Sequence, residues 1–166
     1  MNAFQQEMVE LLPRLRRFGR VLTRDVSDAD DLVQITVERA LTRADQWTPG
    51  TRLDSWMFRI MKNAWIDETR ARKRRDLVLA PEAAGLGIGD DGAARAERRL
   101  EVAEVERELM RLPEEQRLAV ALVLVEGLSY REAASVLETP EGTLTSRLVR
   151  GRNAILARLG GEGSAA

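Results

Sequence analysis

Thr143, Arg147, Arg150 and Arg158 follow one another at intervals of four, three and eight residues. On an α-helix, at 100° per residue, such intervals gather the side chains within about a third of a turn. From Gly142 to Leu159 the chain holds four arginines and no acidic residue. A face of one sign suits phosphates, and a guanidinium fork matches the acceptor edge of guanine. The remaining arginine, Arg152, projects close to the apolar stripe of the same helix, so it suits an internal contact or a peripheral phosphate better than base reading. Solvated arginine faces also occur on helical hairpins that only pack, and charge alone does not separate the two readings.

A second binding face lies in RLDSWMFRIMKNAWIDETRARKRR, Arg52 to Arg75. Leu53, Trp56, Met57, Ile60 and Ala64 recur at helical spacing and are expected to face a core. Arg59, Lys62, Asn63, Arg70 and Lys73 occupy the other side within roughly 100° of arc. The Asn63 amide, set in this cationic wall, could bind an unpaired base edge, and the preceding turn, Thr48-Pro49-Gly50, could close over that base. Trp56 reads as core packing because it lies on the apolar stripe, whereas Trp65 stays open. RARKRR at the end also suits a helix C-terminus, where cations favour the negative pole of the dipole. That explains the terminal charge but not its continuation along the helix.

Neither face is catalytic in character. The chain has no Cys and no His, which removes disulfides, thiolate metal sites, Ser-His and Cys-His catalysis and the usual zinc sets. No paired acids with a pocket emerge, so no catalytic residue, metal site, cofactor or small-molecule substrate is expected. GLGIGDDG, Gly85 to Gly92, lacks the preceding strand, the following helix and the Lys-Ser/Thr or ribose-binding acid of a phosphate loop. Asp28, Asp30 and Asp31 lack the spaced ligand loop of a cation site and read as a helix start plus a protein interface. The N-terminal stretch has no signal-peptide core, and no run approaches the roughly 18 apolar residues of a membrane span. A cytoplasmic protein without membrane insertion is expected.

Hydrophobic residues at 44% and charged residues at 32% indicate a chain that folds rather than a disordered one. The net charge of -1 would argue against a polyanion partner if it were evenly spread. Residues 1–75 carry 15 basic and 11 acidic residues, residues 76–110 carry 4 and 9, and residues 111–166 carry 7 and 7. Because screening cuts exposed charges off beyond roughly 8 to 10 Å at physiological salt, the local fields decide.

The elements that must position these faces are all helical. Apolar residues recur at three and four spacing without a sustained period of two, so the fold class is all-α. Helices are expected over about Glu7–Leu22, from a capping box at Ser27 and Asp30 to about Ala44, and over Leu53–Arg75. Asp76 to Arg95 holds four Gly, one Pro and two adjacent Asp, and reads as a flexible linker between two small helical domains. Four more helices begin near Ala96, with breaks at Leu112-Pro113, Gly127-Leu128 and Glu138-Thr139. Ser129 and Glu132 form a second capping box, and Thr139-Pro140 supplies an N-cap and a first-turn proline after a tight turn. Two helices joined so closely predict a helix-turn-helix, with Leu144, Leu148, Ile155 and Leu159 as the apolar stripe of its second member. Capping, short turn and the acid-free face coincide, which favours DNA binding.

At these residues the chain resembles the extracytoplasmic-function (ECF) sigma factors of the sigma-70 family. DADDLVQITVERAL is similar to their region 2 helix and RLDSWMFRIMKNAWID to the minus-10 helix after it. LPEEQRLAVALVLVEGLSYREAASVLETPEGTLTSRLVRGRNAIL is similar to region 4. The resemblance implies region 2 at 1–75, a linker at 76–95 and a region 4 helix-turn-helix at 96–159, and the closing GGEGSAA at 160–166 reads by its own composition as a disordered tail. It implies a factor that directs core RNA polymerase to specific promoters and assists minus-10 melting in a stress or envelope-signal response. Asp31, Leu32, Val33 and Gln34 would dock to the polymerase. Thr48, Gly50, Thr51, Arg52 and Asn63 would capture a flipped base of the melted minus-10 strand, beside Arg59, Lys62, Arg70 and Lys73. Thr143, Ser146, Arg147 and Arg150 would enter the minus-35 major groove with Thr145 beside them. Thr145 departs from the Lys or Arg often found at that place, which bears on the minus-35 preference. An anti-sigma factor that masks both domains until a signal releases them is also implied. The residues by themselves leave two rivals: a repressor or activator that dimerises and binds palindromes without polymerase, and a protein-binding helical adaptor indifferent to DNA.

Overall fold

The computed structural model describes residues 1–77 and 98–163. Among these no strand occurs, so the all-α expectation holds. The chain divides into two compact units between Gly89 and Asp90. Of the expected linker at 76–95, only Asp76 and Leu77 are described, as the last residue and the C-cap of a helix. The rest lies outside the described residues.

In the first unit, α1 (Ala3–Thr23), α2 (Val26–Thr42) and α3 (Leu53–Asp76) pack on one another, with a short 3-10 turn at Ala44–Gln46. α1 begins earlier than its apolar pattern predicts because Asn2 and Gln5 form a capping box. Gln5 N–H donates to Asn2 Oδ1 at 2.8 Å and Asn2 N–H donates to Gln5 Oε1 at 3.1 Å. Arg24 ends α1 in the left-handed region, at φ 62°. The N-cap of α2 is Asp25, not Ser27. The Asp25 carboxylate accepts from Asp28 N–H at 3.0 Å, which satisfies an orphan donor and leaves Ser27 exposed inside the helix.

The core of this unit centres on Phe18 and Phe58, both fully buried and edge to face at 5.1 Å. Leu15, Leu53, Met57 and Met61 surround them at 1% exposure or less, so α3 is seated on a layer with no room for slippage. Trp56 departs from the expected core stripe. It is half-buried at the edge, 6.2 Å from Phe4, which in turn lies 5.4 Å from Trp47.

The second unit contains α4 (Arg98–Arg111), α5 (Glu114–Val120) with a π turn at Ala121–Val125, α6 (Tyr130–Leu137) and α7 (Glu141–Gly163). All three expected breaks occur. Gly127 closes the π turn at φ 73°, a conformation that favours glycine. The Ser129 oxygen accepts from Glu132 N–H at 3.1 Å, as the capping box predicts, while its hydroxyl donates to Glu132 Oε1 at 2.9 Å. Pro140 sits one place earlier than expected. Its carbonyl accepts from Leu144 N–H at 3.0 Å, so the proline precedes the first residue of α7 and its missing N–H costs nothing. α7 also continues through Gly163, so residues 160–163 of the expected tail are helical, and residues 164–166 lie outside the described residues.

Leu144, Leu148 and Ile155 are buried and Leu159 is half-buried, as the stripe predicts. Gly151 lies between them where α7 crosses α5. A Cβ there would meet Val120 Cγ2 at 2.8 Å and the Gln116 carbonyl oxygen at 3.3 Å. On helix propensity alone Gly151→Ala would gain about 1 kcal/mol. A stiff β-branched side chain and a backbone oxygen cannot both give way, so the steric cost prevails. Gly151→Ala is expected to destabilise the protein by roughly 1 to 3 kcal/mol in chemical denaturation. An increase in stability would show the crossing to be looser than described.

Candidate nucleic-acid interface

In the second unit, burying the Leu144–Leu148–Ile155 side of α7 turns the opposite side to solvent. Ser146 and Arg150 are exposed, and Thr143, Thr145 and Arg147 are half-buried along the flanks. The Thr145 hydroxyl donates to Glu141 O at 2.9 Å and the Ser146 hydroxyl to Gly142 O at 3.1 Å, local bonds that leave acceptor lone pairs outward. Arg158 does not extend this face into the last turns. Its Nη1 donates to Glu108 Oε2 at 3.2 Å, and the other Glu108 oxygen takes Arg111 at 3.0 Å. The face therefore contracts to the first half of α7. It gains Asn153, exposed seven residues after Ser146 and three after Arg150. The charge-led reading passed over that neutral amide, although its helical spacing was visible.

Arg147 Nη2 lies 3.4 Å from Glu115 Oε1, and the Glu115 side chain is 69% exposed. Such a pair is worth at most about 1 kcal/mol and is screened by salt, so a phosphate or base edge can displace it. Glu115→Gln removes the competitor. Its expected effect is a modest gain in affinity for duplex DNA, up to about five-fold at low salt. Fluorescence anisotropy with a labelled duplex measures it, and a fall in affinity would show that Glu115 orients Arg147 instead of competing for it.

In the first unit the turn before α3 has a defined form. Thr51 N–H donates to Thr48 O at 3.2 Å, the Thr51 hydroxyl donates to the same oxygen at 2.6 Å, and Gly50 stands at φ 90°. Pro at the second place and Gly at the third are what a type II turn requires. Arg52 is tied to the start of α3: its Nε donates to Asp54 Oδ1 at 3.1 Å and its Nη2 to Oδ2 at 2.7 Å. Oδ2 also accepts from Arg14 Nη1 of α1 at 3.0 Å, and Oδ1 from Ser55 N–H at 2.7 Å. Asp54 is only 7% exposed. No motif marked it, because an acid in the first turn of a basic helix looks like a solvated residue until the arginine 40 places earlier is brought beside it.

Along α3, Arg59, Arg70 and Lys73 are exposed and Asn63 is half-buried. Lys62 departs from the expected cationic wall. At 8% exposure it is buried and engaged within the fold, because the α3 stripe is wider than the sequence pattern implies and takes in Phe58, Met61 and Lys62. Arg72 clasps α2 instead of extending the wall, its Nη1 and Nη2 donating to the two Asp28 oxygens at 3.2 and 3.1 Å. Arg39 Nη1 donates to Asp67 at 3.0 Å across the same helix pair. Of the expected polymerase-docking residues, Asp31 and Gln34 are exposed on α2, whereas Leu32 and Val33 are buried in the core at 3% and 7%. The 3.6-residue period turns those two inward. Trp65 lines a cleft of about 110 Å³ between α2 and α3 with Asp31, Glu68 and Arg72.

Burial pushes the Asp54 carboxyl up, but hydrogen bonds from Arg52, Ser55 N–H and Arg14, with the Arg52 charge, outweigh it and its pKa is lowered. The bonds favour the ionised folded state. Their stabilisation is therefore present above the unfolded carboxyl's pKa and is lost as pH falls through the folded one. Asp54→Asn is expected to flatten this acid limb in thermal melts followed against pH. An unchanged acid limb would assign it to other carboxylates.

Among the described residues, no helix is long and apolar enough to cross a membrane, and no three His, Cys, Asp or Glu gather where they could hold a metal ion. Residues 8–62 match the family model of the Sigma2 domain of PhyR, and residues 103–155 match that of sigma-70 region 4. The chain is 33% identical over 163 residues to the ECF RNA polymerase sigma factor EcfG of Rhodopseudomonas palustris, covering 98% of this chain and 88% of the relative. With SigM of Mycobacterium tuberculosis it shares 35% over 157 residues, 95% and 76% of the two chains. Among solved structures it is similar to the sigma factor RpoE bound to the anti-sigma factor NepR from Bartonella quintana. The TM-score there is 0.79 at 30% identity, covering 96% of this chain and 98% of that one. CnrH in complex with the cytosolic domain of CnrY follows at 0.67 and 27%, with 96% and 88% covered. With both region models in chain order and near-full-length kinship at this identity, the chain belongs to the ECF RNA polymerase sigma factors, regulatory DNA-binding proteins and not enzymes.

Proposed function

We propose that this sigma factor holds its promoter at two separate places, with paired bases read by α7 and a melted strand held by the first unit. The observation that carries the reading is the open face of α7, where Ser146, Arg147 and Arg150 project beside Thr143 while the opposite side is locked into the core. In the minus-35 major groove Arg147 and Arg150 meet guanine edges or phosphates, and Ser146 and Asn153 supply shorter polar contacts. Thr145, without a cation, weakens one flank of that footprint.

On α3, Arg59, Arg70 and Lys73 track the backbone of the minus-10 strand, and the turn from Thr48 to Arg52 encloses a flipped base. Ten residues separate Leu53 from Asn63, about 15 Å of helix, so the turn and Asn63 meet the strand at successive points. Lys62 acts from within the fold and not at the strand. The polymerase meets α2 through Asp31 and Gln34, with Leu32 and Val33 supporting them from the core. The complexes of RpoE with NepR and of CnrH with the cytosolic domain of CnrY support an anti-sigma partner for this chain too, and with it a cytoplasmic factor released by a stress or envelope signal.

Transcription reconstituted with purified core RNA polymerase on a promoter library tests the reading. The wild-type chain is expected to select starts with defined minus-35 and minus-10 elements. Arg147→Ala should cost roughly 1 to 3 kcal/mol and relax one minus-35 position. Equal weakening on every sequence would reduce Arg147 to a phosphate contact. Asn63→Ala should impair open-complex formation more than duplex binding. Failure to join core polymerase or to direct its start site would end the proposal.

A further inference from the structure

We propose that Asp54 is a positioning residue for the minus-10 turn, acting as one end of a brace that ties the turn to α1. The inference rests on the reading of Thr48–Arg52 as part of the strand-binding site. An exposed turn held by its own Thr48–Thr51 bonds would sample many arrangements, because loop tips lie at the low-stability end of a fold. Here both flanks of the turn are tied down. On its upstream side Trp47 packs on Phe4 at 5.4 Å, and Phe4 also meets Trp56 at 6.2 Å. On its downstream side the Arg52 fork closes on both oxygens of Asp54, which Arg14 grips from α1. The Arg14 guanidinium lies 5.3 Å from the centre of the fully buried Phe58 ring, so the far end of the brace is anchored in the core.

Phe4 and Arg14 both belong to α1, so a helix outside the proposed strand site sets the place of the turn. A buried carboxylate is a poor way to add stability, since its desolvation offsets most of the attraction and a well-packed apolar side chain often serves as well. What an apolar residue could not do is aim Arg52. The bidentate fork fixes the guanidinium plane as well as its distance.

The full chain, bound to core polymerase, is tested with a single-stranded minus-10 oligonucleotide and separately with a minus-35 duplex. Asp54→Asn and Arg14→Met are each expected to weaken strand binding roughly three- to ten-fold, the loss that goes with about one net hydrogen bond. Duplex binding and affinity for core polymerase should stay unchanged. Arg14→Met lies away from the turn and carries the test should Asp54→Asn lose its fold. Unchanged strand binding, or a loss that runs in parallel with core affinity, overturns the brace. Asn63→Ala in the same assay reads the strand site itself. A loss there with none in the two brace variants leaves the site standing and removes the brace, and no loss in any of the three removes both.

Discussion

An arginine in this chain has two claimants, the protein's own carboxylates and a phosphate outside, and burial decides which one holds it. Arg14 and Arg52 converge on Asp54, a carboxylate whose side chain is only 8% exposed, so withdrawing both would strand a buried charge. Arg14 is committed to the fold, whereas Arg52 is held by the same carboxylate with about half of its side chain still open to solvent. Arg39 and Arg72 face Asp67 and Asp28 in more open settings, where an ion pair contributes little and competes with salt, while Arg158 holds Glu108, whose side chain is 12% exposed. Arg147 lies nearest the balance point, close to a mostly exposed Glu115 and at the edge of the face proposed to read DNA. A chain with net charge -1 can thus serve a polyanion because its acids restrain some cations and leave others turned outward.

The same logic governs the two helices that carry the faces. α3 and α7 each need a continuous apolar side to be held in one rotation, since a helix that rolls would carry its cations with it. In α3 that side is deep, from Leu53 through Phe58 and Met61 to Ala64. In α7 it is narrower but closes over Gly151, where the absence of a Cβ lets the helix reach Val120 and Gln116. Close approach there sets the height of Ser146 and Arg150 above the core. Two non-glycine residues in the left-handed region, Arg24 and Glu138, end helices at connections of two and three residues, so α1 to α2 and α6 to α7 turn tightly.

Much of this was legible in residue order. The all-α class, the breaks at Pro113, Gly127 and Glu138, the Ser129 cap and the Leu144–Leu148–Ile155 stripe follow from local rules of period, capping and turn chemistry, which act within a few residues. The near misses obey the same rules with a closer competitor. Asp25 took the cap assigned to Ser27, and the Asn2–Gln5 box drew α1 four residues further toward the N-terminus than Glu7.

Residue order is enough to set the helices, their polarity and the sign of each face, because those depend on neighbours along one chain. Tertiary structure alone decided which members of a face reach solvent. Leu32 and Val33 turned into the core, Lys62 was buried beside Met61, Arg158 was drawn to α4, and Asp54 became the link between α1 and the turn. The physical reason is that exposure and ion pairing depend on what lies across a helix interface, and residues 14 and 54, or 108 and 158, become neighbours only once the helices have packed.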